Sequence, residues 1–195
     1  MENSHRVKIF LEPISALERL MRRSGRKWML IGGVAASLLG KPRFTADIDV
    51  VISIGDDEIL GILKLAIEEG FIPRIKNPVE FAKKNRVLLL KHKKSNINLD
   101  LSLGTLPFEE EAIGKSRSKR IGGISIYLPI PEDLIIFKAV AHRPQDIMDI
   151  KEIVNNNPKI DRRYIKKRVT EFARFLEMPE IWEDIENIVL GDKQA

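Results

Sequence analysis

The chain contains no cysteine, and that absence removes several kinds of chemistry at once. Disulfide frameworks, thiolate nucleophiles, zinc–thiolate sites and iron–sulfur clusters are all excluded. Aromatic residues are scarce, at 6%, and no interleaved set of them marks a nucleic-acid module with stacking rings. Histidine occurs only at His5, His92 and His142, with no spacing that suits a metal. Long hydrophobic runs are also missing. The longest uncharged apolar stretch, residues 28–40, holds three glycines, whereas a membrane span needs about 20 predominantly apolar residues. Glu2, His5, Arg6 and Lys8 stand where a signal-type apolar core would lie. The expected location is therefore the cytoplasm, with no membrane partner.

What is present is a foldable composition. The chain has 195 residues, 44% hydrophobic and 31% charged, enough for one domain or one domain with a small appendage. Lys plus Arg is 33 and Asp plus Glu is 28, a net charge of +5. That excess points only mildly toward anionic partners. Basic clusters fall at residues 22–27, 91–94, 115–120 and 162–168. If several share one face they suit an RNA such as tRNA, and otherwise they are solvated helix faces. Nothing in the sequence specifies an oligomeric state.

The periodicity predicts mixed strands and helices up to about residue 130 and helices only beyond it. Helices are expected over residues 13–24, 34–39 and 56–70, with apolar positions at helical spacing and glycines as stops. Strands are expected over 28–31, 48–54, 71–75, 87–91 and 124–128. The clearest is 97–103, where Ile97, Leu99, Leu101 and Leu103 alternate with Asn98, Asp100 and Ser102. Residues 78–85 carry no decisive pattern, and 104–123 reads as a loop or a short helix. From Pro131 the expected helices are 131–142, 144–155, 161–177 and 179–189, with Pro131 and Pro144 in first turns and Asp161 as an N-cap. The expected organisation is an α/β core over 1–130 and a helical extension over 131–195, packed on the core.

One constellation carries chemistry. Gly32 and Gly33 precede a short helix, and after a gap of thirteen residues come Asp47, Ile48, Asp49 and Val50. On a strand, Asp47 and Asp49 point to one face while Ile48 and Val50 point to the other. Two neighbouring carboxylates repel and raise each other's pKa, a situation a divalent cation relieves. Hard cations such as Mg²⁺ prefer carboxylate oxygens and share substrate phosphates. Paired glycines at a helix start let backbone N–H groups approach a phosphate. Asp100, on a strand of its own, supplies a third carboxylate if that strand neighbours the first. Two metal ions about 3.5–4 Å apart could then be clamped.

On these residues the sequence resembles the DNA polymerase β-type nucleotidyltransferase superfamily. The fuller string of Gly33, Ala35, Gly40, Arg43, Thr45, Asp47, Ile48 and Asp49 resembles its small prokaryotic members, including abortive-infection-type nucleotidyltransferase toxins. Lys138, Arg143, Asp146 and Asp149 match the order of a second motif of those toxins. The resemblance implies the nucleotidyltransferase fold, a mixed β-sheet flanked by helices. It further implies dependence on Mg²⁺ or Mn²⁺ and transfer of NMP from an NTP, with release of pyrophosphate. The acceptor would be a hydroxyl of RNA or tRNA, a protein or a small molecule. By the same resemblance Gly32 and Gly33 hold the triphosphate and Lys138 grips the phosphates. Asp47 and Asp49 bind metal, and Asp100 binds metal and helps activate the acceptor.

Plainer readings stand beside each residue. Arg43 either binds phosphate or pairs with a carboxylate, and Thr45 is structural in both cases. Lys138 is the only charge between Leu134 and Ala141, a costly position unless it snorkels or meets an anion. Asp146 lies in the apolar arc of Ile147, Ile150 and Ile153, so it can pair with Lys138 or Arg143, or it is an ordinary helix-face acid like Asp149. Two rival functions remain: a non-catalytic nucleotide- or partner-binding module, and a phosphatase or glycosyltransferase using the Asp-x-Asp. The latter enzymes want their acids in a different strand–loop context.

Overall fold

A computed structural model describes residues 2–191. In chain order the first half runs α1 (Glu2–Ser24), β1 (Trp28–Ile31), α2 (Gly32–Leu39), β2 (Asp47–Ile52), a 3₁₀ turn (Asp56–Glu58), α3 (Ile59–Glu68), β3 (Phe71–Pro73) and α4 (Pro78–Asn85). It continues with β4 (Val87–His92), β5 (Asn98–Leu103), α5 (Pro107–Lys115), β6 (Arg117–Ile121) and β7 (Ile124–Leu128). Four helices complete it: α6 (Pro131–Ala141), α7 (Pro144–Asn156), α8 (Arg162–Leu176) and α9 (Glu180–Leu190). The fold is mixed α/β, with a mixed sheet, flanking helices and a helical C-terminal part, as the sequence predicts.

The chain divides into two units. One comprises the chain up to Leu30 with Thr45–Leu128, and the other Ile31–Phe44 with the chain from Pro129 onward. Residues 31–44 thus group with the C-terminal helices.

The first unit is built on a five-stranded sheet in the order β1-β2-β5-β4-β3, with a separate β6-β7 hairpin. β2 and β5 run parallel, while β4 is antiparallel to both β5 and β3. Alternation decides which face is buried. Ile48, Val50, Leu99, Leu101, Leu88 and Leu90 are essentially inaccessible, whereas Asp47, Asp49, Asn98 and Asp100 lie half-buried on the opposite face. α1 packs against α3 and β7, and α3 against β3. Truncating a side chain such as Leu99 to Ala would cost about 2–5 kcal/mol.

In the second unit α2 packs on α6 and α7, and α8 on α6 and α9. α8 buries Ile165, Val169 and Ala173 along one stripe. Its N-cap is Asp161, whose Oδ1 accepts from the backbone N–H groups of Arg163 and Tyr164 at 3.0 and 2.9 Å. α2 ends where it touches α7. A Cβ added at Gly40 would stand 3.0 Å from the Ala36 carbonyl oxygen and 3.1 Å from the Ile153 nitrogen. Only a residue without a side chain lets the two backbones come so close.

Three segments differ from the sequence expectation. α1 passes through Pro13 rather than starting there, so a proline that suits a first turn sits inside the helix. Residues 78–85 form α4, entered at Pro78 after a left-handed Asn77. The stretch 104–123 contains both α5 and the exposed strand β6. β6 carries Arg117, Lys119 and Arg120 and lacks apolar alternation, so nothing in its composition marks a strand. It is held by pairing with β7 across Gly122 and Gly123, both at positive φ, the two-residue turn of a tight hairpin.

Candidate functional site

The parallel pairing of β2 and β5 sets the first half of the site. In that register Asp47 faces Asn98 and Asp49 faces Asp100. Partners in adjacent strands share a face, so the three carboxylates lie on one side of the sheet. Asn98 Nδ2 donates to Asp47 Oδ1 at 2.8 Å. Asp100 Oδ1 accepts from the guanidinium of Arg74. Arg74 follows β3 and its backbone N–H donates to the Leu89 carbonyl at 3.1 Å, which extends the β3–β4 ladder by one residue. Leu89 in turn faces Asp100. Arg74, Leu89, Asp100 and Asp49 therefore form one row across four neighbouring segments of backbone.

The electrostatics follow from that row. Burial pushes the Asp100 carboxyl above its ordinary value; the Arg74 guanidinium opposes this, and the Asp49 and Asp47 carboxylates add to it. Thr45, just before the strand, donates its hydroxyl to the Asp47 carbonyl at 3.3 Å, a structural contact.

Three carboxylates on one face offer hard oxygen donors that suit a divalent cation. Among the described residues, however, no three or more His, Cys, Asp or Glu side chains are gathered as a metal-holding group. As the side chains stand, Asn98 holds Asp47 and Arg74 holds Asp100. The donor chemistry fits Mg²⁺, and a cation at Asp100 would take over the role that Arg74 now fills.

The second unit holds a separate polar cluster around α6 and α7. Lys138, 3% exposed, donates from Nζ to Asp146 Oδ1 and to Asp149 Oδ2, each at 2.7 Å. Arg43 grips Asp149 with two parallel bonds, Nε to Oδ1 at 2.6 Å and Nη2 to Oδ2 at 2.7 Å. Arg143, the N-cap residue of α7, donates from Nε to Asp146 Oδ2 at 2.6 Å. Gln145 Nε2 adds a bond to Asp149 at 3.2 Å. Burial works against ionisation of Asp146, but the bonds from Arg143 and Lys138 outweigh it and hold that carboxyl below its ordinary range. Asp149 behaves alike, with burial overcome by Arg43 and Lys138.

Three cations thus surround two carboxylates, so a buried lysine that would be costly alone is paired twice. Between the open alternatives for Asp146, the geometry takes both: it pairs with Lys138 and with Arg143. In the same unit Gly32 opens α2 at φ +62°, a left-handed conformation that favours glycine, and Gly33 is buried one residue later.

Sequence reasoning missed Arg74 and Asn98. Asn98 was findable, since it lies two residues before Asp100 on the same face of an alternating strand. Arg74 was not, because only the strand order β5-β4-β3 brings it near an acid 26 positions away.

A mixed sheet with acids on the open face of adjacent parallel strands fits the nucleotidyltransferase fold. Several solved structures share the fold, and two illustrate it. An antigenic nucleotidyltransferase-like protein from Paracoccidioides brasiliensis aligns over 90% of this chain and 92% of its own, with a TM-score of 0.56 and 15% identity. The antibiotic-resistance factor ANT(2'')-Ia aligns over 92% of this chain and 97% of its own, with a TM-score of 0.58 and 15% identity. No curated protein matches the sequence. The family model described as "Nucleotidyltransferase of unknown function (DUF6036)" matches residues 10–187, and the chain belongs to that family. Among the described residues no helix is long and apolar enough to cross a membrane.

Proposed function

We propose that the protein is a divalent-metal-dependent nucleotidyltransferase that moves NMP from an NTP to an acceptor hydroxyl. The observation that carries this reading is the face shared by Asp47, Asp49 and Asp100, with Asp49 opposite Asp100. Residues 1–130 are read as the catalytic core and residues 131–195 as its extension. The acceptor oxygen attacks the α-phosphorus; a new O–P bond forms as the bond to the β-phosphate oxygen breaks, and pyrophosphate leaves. Asp47, Asp49 and Asp100 would hold Mg²⁺ or Mn²⁺, which when bound neutralises the triphosphate and polarises the attacking hydroxyl. By the resemblance Asp100 would also help activate the acceptor, taking up the hydroxyl proton as the new bond forms. Gly32 and Gly33 would present backbone N–H groups to the triphosphate.

Arg43 and Lys138 would contribute to nucleotide binding through the surplus positive charge of their cluster, since both already bond carboxylates. Lys138, Arg143, Asp146 and Asp149 support the likeness to toxin-type members, for which an RNA or tRNA acceptor is the natural candidate. The test is incubation with each labelled NTP, Mg²⁺ and a pool of total RNA, protein and small molecules. Label should pass to one class of acceptor, and Asp47→Ala and Asp49→Ala should abolish the transfer while their circular dichroism is unchanged.

A second reading is a non-catalytic nucleotide- or partner-binding module. It is favoured by one observation: Asn98 and Arg74 already hold Asp47 and Asp100. Calorimetric binding of NTP with Mg²⁺, but no transfer to any pool, would select it.

A further inference from the structure

The first unit contains a cavity of about 540 Å³ that has no part in the carboxylate face. Its walls come from the end of α1, the following turn, the end of α5 and the β6–β7 hairpin. Arg22, Arg26 and Lys27 line it from one side, with Glu18 the only acid. Glu18 lies 4.0 Å from Arg22, and Arg26 pairs with Glu58, whereas Lys27 is unpaired among the described residues.

The opposite wall carries Ser125 and Tyr127 of β7. The hairpin register places Arg120 opposite Ser125 and Ser118 opposite Tyr127, so Arg120, outside the cavity lining itself, adds to that same face an exposed cation that is unpaired among the described residues. Tyr127 is 40% exposed, and its ring is held edge-on by the buried Trp28 at 5.7 Å and 74°. A fixed, open aromatic ring bordered by cations is the equipment that grips single-stranded nucleic acid: a stacked base and its flanking phosphates.

The position argues for a polymer. Ser53, the residue after β2, donates to the Lys27 carbonyl at 2.9 Å, so the cavity adjoins the end of β2 remote from Asp47. A strand of this length spans about 17–20 Å. A ligand reaching both places is longer than one nucleotide.

We propose that this cavity binds a single-stranded RNA segment, with Tyr127 stacking on a base and Arg22, Lys27 and Arg120 holding the backbone. The choice of a polymer rests on the transfer reading, whose acceptor it would be; the test measures binding alone, so loss of RNA binding is distinguishable from loss of transfer.

The test is fluorescence anisotropy of a labelled single-stranded RNA of about 12 nucleotides across a range of salt concentrations. Variants are the double substitution Lys27→Glu with Arg120→Glu, then Tyr127→Ala, then Tyr127→Phe. The charge reversal should weaken binding at least tenfold and flatten the salt dependence. Tyr127→Ala should weaken it about tenfold, while Tyr127→Phe, which keeps the ring, should bind as the parent does. Wild-type affinity in the charge-reversed protein would overturn the proposal. So would inorganic polyphosphate competing as well as RNA, which would reduce the cavity to an unspecific anion surface. Equal affinity for duplex DNA would do the same. The charge variants are exposed and keep the test decisive should Tyr127→Ala fail to fold.

Discussion

Asp49 and Asp100 stand directly opposite each other on adjacent parallel strands, and Arg74 bonds the second of them. Two acids at this spacing are an unfavourable pair unless a cation joins them. One cation of the row is the Arg74 guanidinium, beside Asp100. The arrangement is thus primed for positive charge, and each charge in the row sets the behaviour of its neighbours.

Removing the Asp49 charge should move Asp100. Burial raises the Asp100 carboxyl, and Asp49 raises it further. Asp49→Asn takes away only the second contribution, so the Asp100 carboxyl should titrate lower than in the parent protein. Carbon-detected NMR of the side-chain carboxyl is the measurement. An unmoved Asp100 would mean the two acids do not share a field. Divalent-dependent NTP affinity should fall at least tenfold in the same variant, about 1.4 kcal/mol.

Much of this was legible in the sequence, for identifiable reasons. The alternation of residues 97–103 fixed which side of β5 carries Asp100, and the Asp-x-Asp did the same for β2. Period 2 leaves no other choice once one face is apolar. What alternation does not encode is which strands neighbour each other, so the Arg74 contact was invisible. β6 was invisible for a different reason: its residues are exposed on both faces, and burial is what writes a pattern into a strand. The network at Lys138 was half legible. A lone charge among apolar residues announced a buried partner, but the bidentate grip of Arg43 on Asp149 depends on two segments 106 residues apart.

Breaking that network should be costly. Asp149→Ala leaves Arg43 without its carboxylate and Lys138 with one instead of two, with Lys138 only 3% exposed. Losing one partner of a buried ion pair costs about 3–5 kcal/mol. For a protein of this size that lowers Tm by roughly 6–20 °C. Differential scanning calorimetry would measure it. A loss below about 1 kcal/mol would mean that the cluster behaves as a surface salt bridge.

The same cluster should govern acid stability. Asp146 and Asp149 both titrate below the ordinary value of 3.8 in the folded protein. Their ionisation therefore favours folding above that value, and the gain disappears as the pH falls through the lowered folded values. Urea midpoints measured from about pH 6 down to about pH 2 should drop steeply below about pH 4. In Asp149→Asn that drop should be shallower, because one of the two linked groups is gone.

Two glycines should fail for different reasons. Gly32 lies at φ +62°, where an added side chain clashes with its own backbone, so Gly32→Ala should cost about 1–2 kcal/mol. Gly40 has an ordinary φ of −116°, and alanine there would instead press on the backbone of α7. Overpacking of that kind costs about 1–3 kcal/mol. A stiffer unfolded chain returns about 0.4–1 kcal/mol of it. The net loss for Gly40→Ala should be near 1 kcal/mol, a Tm lower by about 2–4 °C. Only Gly32→Ala should also weaken NTP binding, because it alters the backbone proposed to meet the triphosphate.

Arg74 offers the sharpest test of the carboxylate face as a metal site. Its guanidinium supplies the positive charge that Asp100 would otherwise draw from a metal ion. If the carboxylate face binds a divalent cation, Arg74 competes with it, and Arg74→Gln should tighten Mn²⁺ binding several-fold. Electron paramagnetic resonance of free Mn²⁺ reads this directly, without substrate or turnover. If the face binds no metal, the substitution simply removes a partner from a half-buried acid. Mn²⁺ affinity would then stay negligible, and Asp100, deprived of the one contact that lowers its pKa, would titrate higher still. The sign of the Mn²⁺ response therefore decides whether Arg74 is a stand-in that a metal displaces or the permanent counter-ion of Asp100.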